Sequence, residues 1–249
     1  MSFFSVETSL SKISKTFDEV TLRRERLIKE SREIISLSSK SIVSIHTSNG
    51  AEAGKFRIQA AKKLDELQRI AGTDLVRYLG VPEQEFVESF VIYSIVNKKK
   101  IPSLEDLNVG PSSYVLGLLD AIGELKRSVY DHIRQGDVPS AESIFGTMES
   151  LFILISPLAV YDNIAPGIRR KLDVARILIE DTRTTITEEV RRTEFIVAVN
   201  KLATKLGSQP VLNRNPSTTL RREHPKSRSE NKSEKDYEGG ENEDEKVEG

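Results

Sequence analysis

The sequence predicts an all-α fold. Up to about residue 206, nearly every segment places its apolar residues at helical spacings. No segment sustains the apolar–polar alternation with turn punctuation that marks a strand. Pro82 and Pro139 stand where helices begin, at positions that do not need the missing amide. At 249 residues the chain is long enough for one large domain, or for one domain and a tail.

The first helix is expected over about residues 4–48. Ile13, Phe17, Val20, Leu27, Ile34, Ile35, Ile42 and Ile45 recur along it, with Arg23, Arg24, Arg26, Lys29, Arg32 and Lys40 between them. Gly50 is its expected stop, and its length suggests a bundle rather than a mixed fold. A second helix covers about residues 51–70. Thr73 is read as the N-cap of a short helix through TDLVRYL that ends at Gly80. Pro82 then opens a third helix to about Lys98, with Glu83 and Glu85 at the positive end of its dipole. Ile101-Pro102 breaks the chain, and SLEDL reads as a turn of helix. Gly110-Pro111 opens the next helix, about residues 112–134, closed by Gln135-Gly136-Asp137. Pro139 starts another, through SIFGTMESLFILISPLAVYD, which Pro157 is expected to kink or end. A last long helix follows Pro166 and runs to about Leu206. No internal repeat recurs at a fixed period.

After Gly207 the composition changes. Residues 207–249 are nearly free of apolar side chains, so burial cannot offset chain entropy and disorder is expected. Arg214, Arg221, Arg222, Lys226 and Arg228 make its first half basic, and Glu241, Glu243, Asp244 and Glu245 make its end acidic. This reads as a solvating tail, with a weak nucleic-acid arm as the sharper alternative. The organisation expected is a helical domain over 1–206 and a charged tail over 207–249.

Bulk properties exclude several classes. Lys and Arg number 37 and Asp and Glu 38, so net charge carries no nucleic-acid signal, although its distribution can. The absence of Cys excludes a disulfide framework and a thiolate metal site, and fits a reducing, cytoplasmic compartment. The N-terminal MSFFSVETSLSKISKTFDEV has no apolar core of a secretory signal. No uninterrupted apolar run approaches the roughly 20 residues of a membrane span, so no membrane role is expected.

Two pairs of carboxylates stand out against this background. Glu85 and Glu88 are spaced i, i+3 in PEQEFVESFVIYSIV, and Asp120 and Glu124 are spaced i, i+4 in SSYVLGLLDAIGELKRSVY. Each pair therefore projects from one helical face. The third helix is apolar nearly all round after Glu85, so it should be buried. Its acids must then be paired, protonated, metal-bound or facing a cavity. Asp120 and Glu124 share a line with Ser113, Gly117, Arg127 and Asp131, beside the core stripe of Val115, Leu118, Ile122, Leu125 and Val129. Gly117 and Gly123 sit inside the helix and suggest close packing against a neighbour. Taken alone, each pair reads more readily as a solvated or ion-paired surface feature, such as Glu124 with Arg127, because structural ion pairs are commoner than sites. Taken together, four acids can hold a divalent cation that activates water for phosphodiester chemistry.

The histidines say less. His46 is expected to cap or pack at the end of the first helix, His132 sits beside Asp131, and His224 lies in the tail. They offer no zinc spacing. GxxxxGK[ST], GxGxxG and GxSxG are all absent.

Several segments resemble the translin family, and its translin-associated factor X branch more than translin itself. LIKESREIISLSSKSIVSIH (27–46), EFVESFVIYSIV (85–96), SYVLGLLDAIGELKR (113–127) and RQGDVPSA (134–141) carry the likeness, in family order over roughly residues 20–200. The resemblance implies an archaeal-type homologue with a bundle of about seven helices, assembling into a hollow homo-oligomer, an octamer in the family pattern. It also implies binding of single-stranded or structured RNA, or of single-stranded DNA. In the X branch it implies a Mg²⁺-dependent endoribonuclease, with Mn²⁺ as the alternative ion, whose catalytic and metal-binding carboxylates map onto Glu85, Glu88, Asp120 and Glu124. Translin itself lacks the E-x-x-E acids. The rival expectation is therefore a non-catalytic nucleic-acid-binding member, and a further one is a helical scaffold. Arg23, Arg24, Arg26, Lys29, Arg32 and Arg77 are the candidate phosphate contacts, because neutralising phosphate needs Lys or Arg. They read equally well as a solvated helix face.

Overall fold

A computed structural model describes residues 3–207, in which seven α-helices and two 3₁₀ segments form and no strand occurs. The helices are α1 (Phe4–His46), α2 (Gly50–Ala71), α3 (Gly80–Val96), α4 (Leu104–Leu107), α5 (Pro111–Gln135), α6 (Val138–Ile155) and α7 (Ile168–Lys205). The 3₁₀ segments are Val76–Tyr78 and Ser156–Tyr161. The tail expected over 207–249 lies, apart from Gly207, outside the described residues.

Local chemistry sets the boundaries, and it departs from the sequence reading at Gly50, Thr73 and Pro82. Gly50 does not stop α1. The chain reverses earlier, with Ser48 taking the positive φ (60°), and Asn49 caps α2 by accepting from the Glu52 amide. Thr73 caps nothing. Gly72, at φ 56°, closes α2, and only a short 3₁₀ turn follows, with Leu75 preceding it. Pro157 ends α6 at Ile155, as expected, and the chain continues as 3₁₀ helix. Gly80 opens α3 instead of ending the segment before it, and Pro82 lies inside the first turn. Ser103 and Asp106 form a capping box on α4, Asp137 caps α6, and Gly136 ends α5 in the left-handed region.

The core runs through the middle of the bundle. Leu27 and Ile34 of α1, Leu64 and Leu67 of α2, Val87 and Ile92 of α3, Ile122 and Leu125 of α5, Met148 of α6 and Ile168 of α7 are almost fully buried. α1 lies along α2 and α3, and α5 is central, against α3, α6 and α7. The apolar stripe of α1 outruns this core. Residues 3–19 are exposed, Phe17 at 66%, because α2 and α3 cover only the later part of the helix. The stretch Val138–Tyr161 has the length and apolarity of a membrane span, with mean hydropathy 1.7. It exceeds the uninterrupted run visible in the sequence because isolated polar residues are averaged in. Here Ala141, Phe145, Met148 and Ile155 of this stretch are buried, while Ile153, Leu154 and Val160 stay exposed.

Two contacts fix α3 against α5. A β-carbon on Gly117 would stand 2.7 Å from the Gln84 carbonyl oxygen and 2.8 Å from the Val87 Cβ, so no side chain fits there. Gly123 has no such role, since its nearest neighbour is Leu178 Cδ1 at 3.9 Å. The second contact is Glu83, 4% exposed. It accepts from the Gly110 amide (3.1 Å) at the start of α5 and from Gln68 Nε2 (3.3 Å). Its charge therefore serves the α5 N-terminus.

Candidate functional site

Glu85 and Glu88 follow Gln84 on α3, and Asp120 follows Gly117 by three residues on α5. The glycine contact thus brings the two acid rows together. Glu88, 9% exposed, registers the result. Burial, and then the charges of Glu85, Asp120 and Glu124, push its carboxyl up to about 8, with Lys171 opposing. Glu85 is raised too, by burial first and then by Asp120. All four sequence-predicted acids therefore share one electrostatic field.

The acids differ in what holds them. Lys171 Nζ, from α7, forms an ion pair with Asp120 and donates to Gln84 Oε1 at 3.3 Å. Glu124 Oε2 lies 2.7 Å from His46 Nε2 and 4.0 Å from Arg127 Nη1. The His46 hydrogen bond comes first among the causes that hold the Glu124 carboxyl below its usual range. The His46 ring is 95% shielded, and its Nδ1 is 3.4 Å from Asp131 Oδ2. His46 packs, as expected, and it also ties the end of α1 to two acids of α5 a full two turns apart. The sequence carried a faint signal for this, a polar ring beside the buried Ile42 and Ile45. Lys171 carried none, because it follows Arg169 and Arg170 in an ordinary basic run.

Two open grooves flank the acids. One, of about 260 Å³, lies between α5 and α7, with Asp120 and Gly123 on one side and Arg170 and Lys171 on the other. The second, of about 400 Å³, follows α5 past Lys126, Arg127, Tyr130 and Arg134. Of the six cations suggested by the sequence, three gather at Tyr78 and Asp74. Arg24 Nε and Arg77 Nη2 both donate to the Tyr78 hydroxyl, at 2.8 and 3.2 Å, and both guanidinium groups lie over its ring. Arg23 is nearby, paired with Asp74. Arg26 pairs with Glu30 on its own helix, and Lys29 and Arg32 are exposed.

Among the described residues, no three His, Asp or Glu side chains are already drawn into a metal-binding arrangement. The donor set nevertheless fits a hard divalent cation. Four carboxylates supply hard oxygen donors, burial and then the neighbouring acid charges raise the Glu88 carboxyl, and an ammonium group already sits against Asp120.

The translin family profile matches residues 22–182, a span that holds all four acids, His46 and Lys171. The chain belongs to the translin family. An uncharacterized protein of Methanocaldococcus jannaschii is 34% identical to this family member over 162 residues, covering 64% of this chain and 72% of that protein. The structure described as AfC3PO in complex with duplex RNA superposes with a TM-score of 0.69 at 29% identity, over 74% of this chain and 97% of that one. AfC3PO alone gives 0.68 at 29% identity, over 74% and 98%. Apo-NeC3PO, at 21% identity and a TM-score of 0.65 over 72% and 96%, shares the fold.

Proposed function

We propose that this translin-family protein is a metal-dependent endoribonuclease that acts within a homo-oligomeric shell. The observation that carries the reading is that Gly117 packs the two acid-bearing helices together, so that the charges of Glu85, Asp120 and Glu124 add to burial in raising the Glu88 carboxyl to about 8. In this reading the four carboxylates hold Mg²⁺ or Mn²⁺ directly or through water. Mg²⁺ keeps several waters, so a full protein cage is not required. Once bound, the ion supplies water activation and charge neutralisation at the scissile phosphate. His46 keeps Glu124 ionised and oriented, and Gly117 holds the spacing of the two acid rows. RNA is the proposed substrate because a similar structure is described as bound to duplex RNA. Basic side chains also line both grooves beside the acids.

One observation favours a second reading, non-catalytic RNA binding. Two of the four acids are already engaged, Asp120 by Lys171 and Glu124 by His46. Incubation of the purified protein with unstructured RNA separates the two. The nuclease reading expects cleavage with Mg²⁺, none with chelator, and none for Glu88→Ala plus Asp120→Ala. Full cleavage by that double variant would exclude this site. Salt-dependent binding with no Mg²⁺-dependent cleavage would select the binding reading.

A further inference from the structure

Among the described residues, Lys171 is the group from outside α3 and α5 that enters the acid cluster as a cation. Its ammonium pairs with Asp120 and donates to Gln84 Oε1 at 3.3 Å, in the same turn of α3 as Glu85. Its side chain is 20% exposed and lies on the wall of the 260 Å³ groove beside Arg170. Glu85 and Glu88 both sense its charge.

A lysine is suited to such a position. It is a compact point charge on a flexible stem, so it can leave one anion for another without a geometric fork to satisfy. A divalent cation reaching Asp120 would meet Lys171 at the same oxygen, and the two like charges repel. The groove that holds Asp120 also holds Arg170, so an ammonium leaving Asp120 stays in an open, basic-lined groove.

We propose that Lys171 is an exchangeable counter-ion of the site. It neutralises Asp120 when no metal is bound, yields that oxygen to the metal, and then contacts a backbone phosphate of the RNA in the α5–α7 groove. This rests on the metal-site reading above, and makes Lys171 both a gate on metal affinity and a substrate-positioning residue.

The test compares the wild-type protein with Lys171→Gln in two measurements. The first is Mn²⁺ binding by calorimetry. Loss of the competing charge should tighten Mn²⁺ binding roughly tenfold, the size expected for a like charge removed from near a partly hydrated divalent site. The second is RNA affinity at several salt concentrations, with Ca²⁺ replacing Mg²⁺. Loss of one phosphate contact should reduce the salt slope by about one. A merely structural lysine would weaken metal binding when removed and leave the slope unchanged, and that pair of results overturns the proposal. Lys171→Arg keeps the charge, and should retain the salt slope of the wild type. If the wild type binds Mn²⁺ and Lys171→Gln matches it in both measurements, the Lys171 proposal fails alone. If neither form takes up Mn²⁺, the metal-site reading falls with it.

Discussion

Replacing Glu88 with Gln should stabilise the metal-free protein, and only at high pH. Folding moves this carboxyl from its ordinary value of 4.5 to about 8, through burial and the charges of Glu85, Asp120 and Glu124. A group raised on folding binds its proton more tightly in the folded state. Stability is therefore greatest below 4.5, where both states are protonated, and falls as pH rises towards 8. At about 1.4 kcal/mol per pH unit, the full displacement corresponds to an upper limit near 5 kcal/mol. Gln retains a polar amide in the same crowded site, and Glu85 and Asp120 still repel each other. The net gain at pH 8.5 should therefore be about 2 kcal/mol. The assay is chemical denaturation of both proteins with chelator present, at matched protein concentration, at pH 4.5 and 8.5. The two should coincide at pH 4.5 and separate by about 2 kcal/mol at pH 8.5. Parallel pH profiles would mean that Glu88 is not crowded by the other acids, and the shared-field argument would fall.

Gly117→Ala should cost about 2 kcal/mol by chemical denaturation, since its methyl meets backbone at 2.7 Å; Gly123→Ala, with 3.9 Å of clearance, should be neutral or stabilising by up to about 1 kcal/mol. Equal effects would refute the assignment of Gly117 as the spacer. His46→Ala should weaken Mn²⁺ binding by calorimetry about tenfold or more through loss of the hydrogen bond to Glu124, with His46→Gln recovering part of it. Unchanged affinity in His46→Ala would reduce the histidine to packing. If the cluster on Tyr78 contacts phosphate, Arg24→Ala plus Arg77→Ala should lower the salt slope of RNA binding by about two; an unchanged slope would leave it a stacking contact alone.

The acids are legible in the sequence because helical spacing is a property of consecutive residues. Glu85 with Glu88, and Asp120 with Glu124, each announce a shared face, and Gly117 announces a close neighbour without saying which. The partners of those acids are not legible there, because they arrive from other helices. His46 is 78 residues from Glu124, and Lys171 is 51 from Asp120. Periodicity states that a face is covered but not by what. The same limit explains Phe17, which belongs to an apolar stripe in the sequence and stands 66% exposed in the fold. Helix ends depart from expectation where a side chain other than the expected one closes the turn, as Asn49 does after the reversal at Ser48.

Among the described residues, the beginning of α1 runs beyond the packed core with no other helix laid along it. Residues 3–19 are exposed, so their helical order propagates from the core with no packing of its own. A helix end that nothing covers frays from its free terminus, because no packing adds to its backbone hydrogen bonds. Its amide hydrogens should therefore exchange with solvent far faster than those around Leu27 and Ile34, which are completely shielded. If two copies meet through this stripe, raising the protein concentration should slow that exchange; an unchanged rate would show that they do not. Protection at Ile13 and Phe17, read residue by residue, would then report encounters between chains while the rest of the bundle stayed silent.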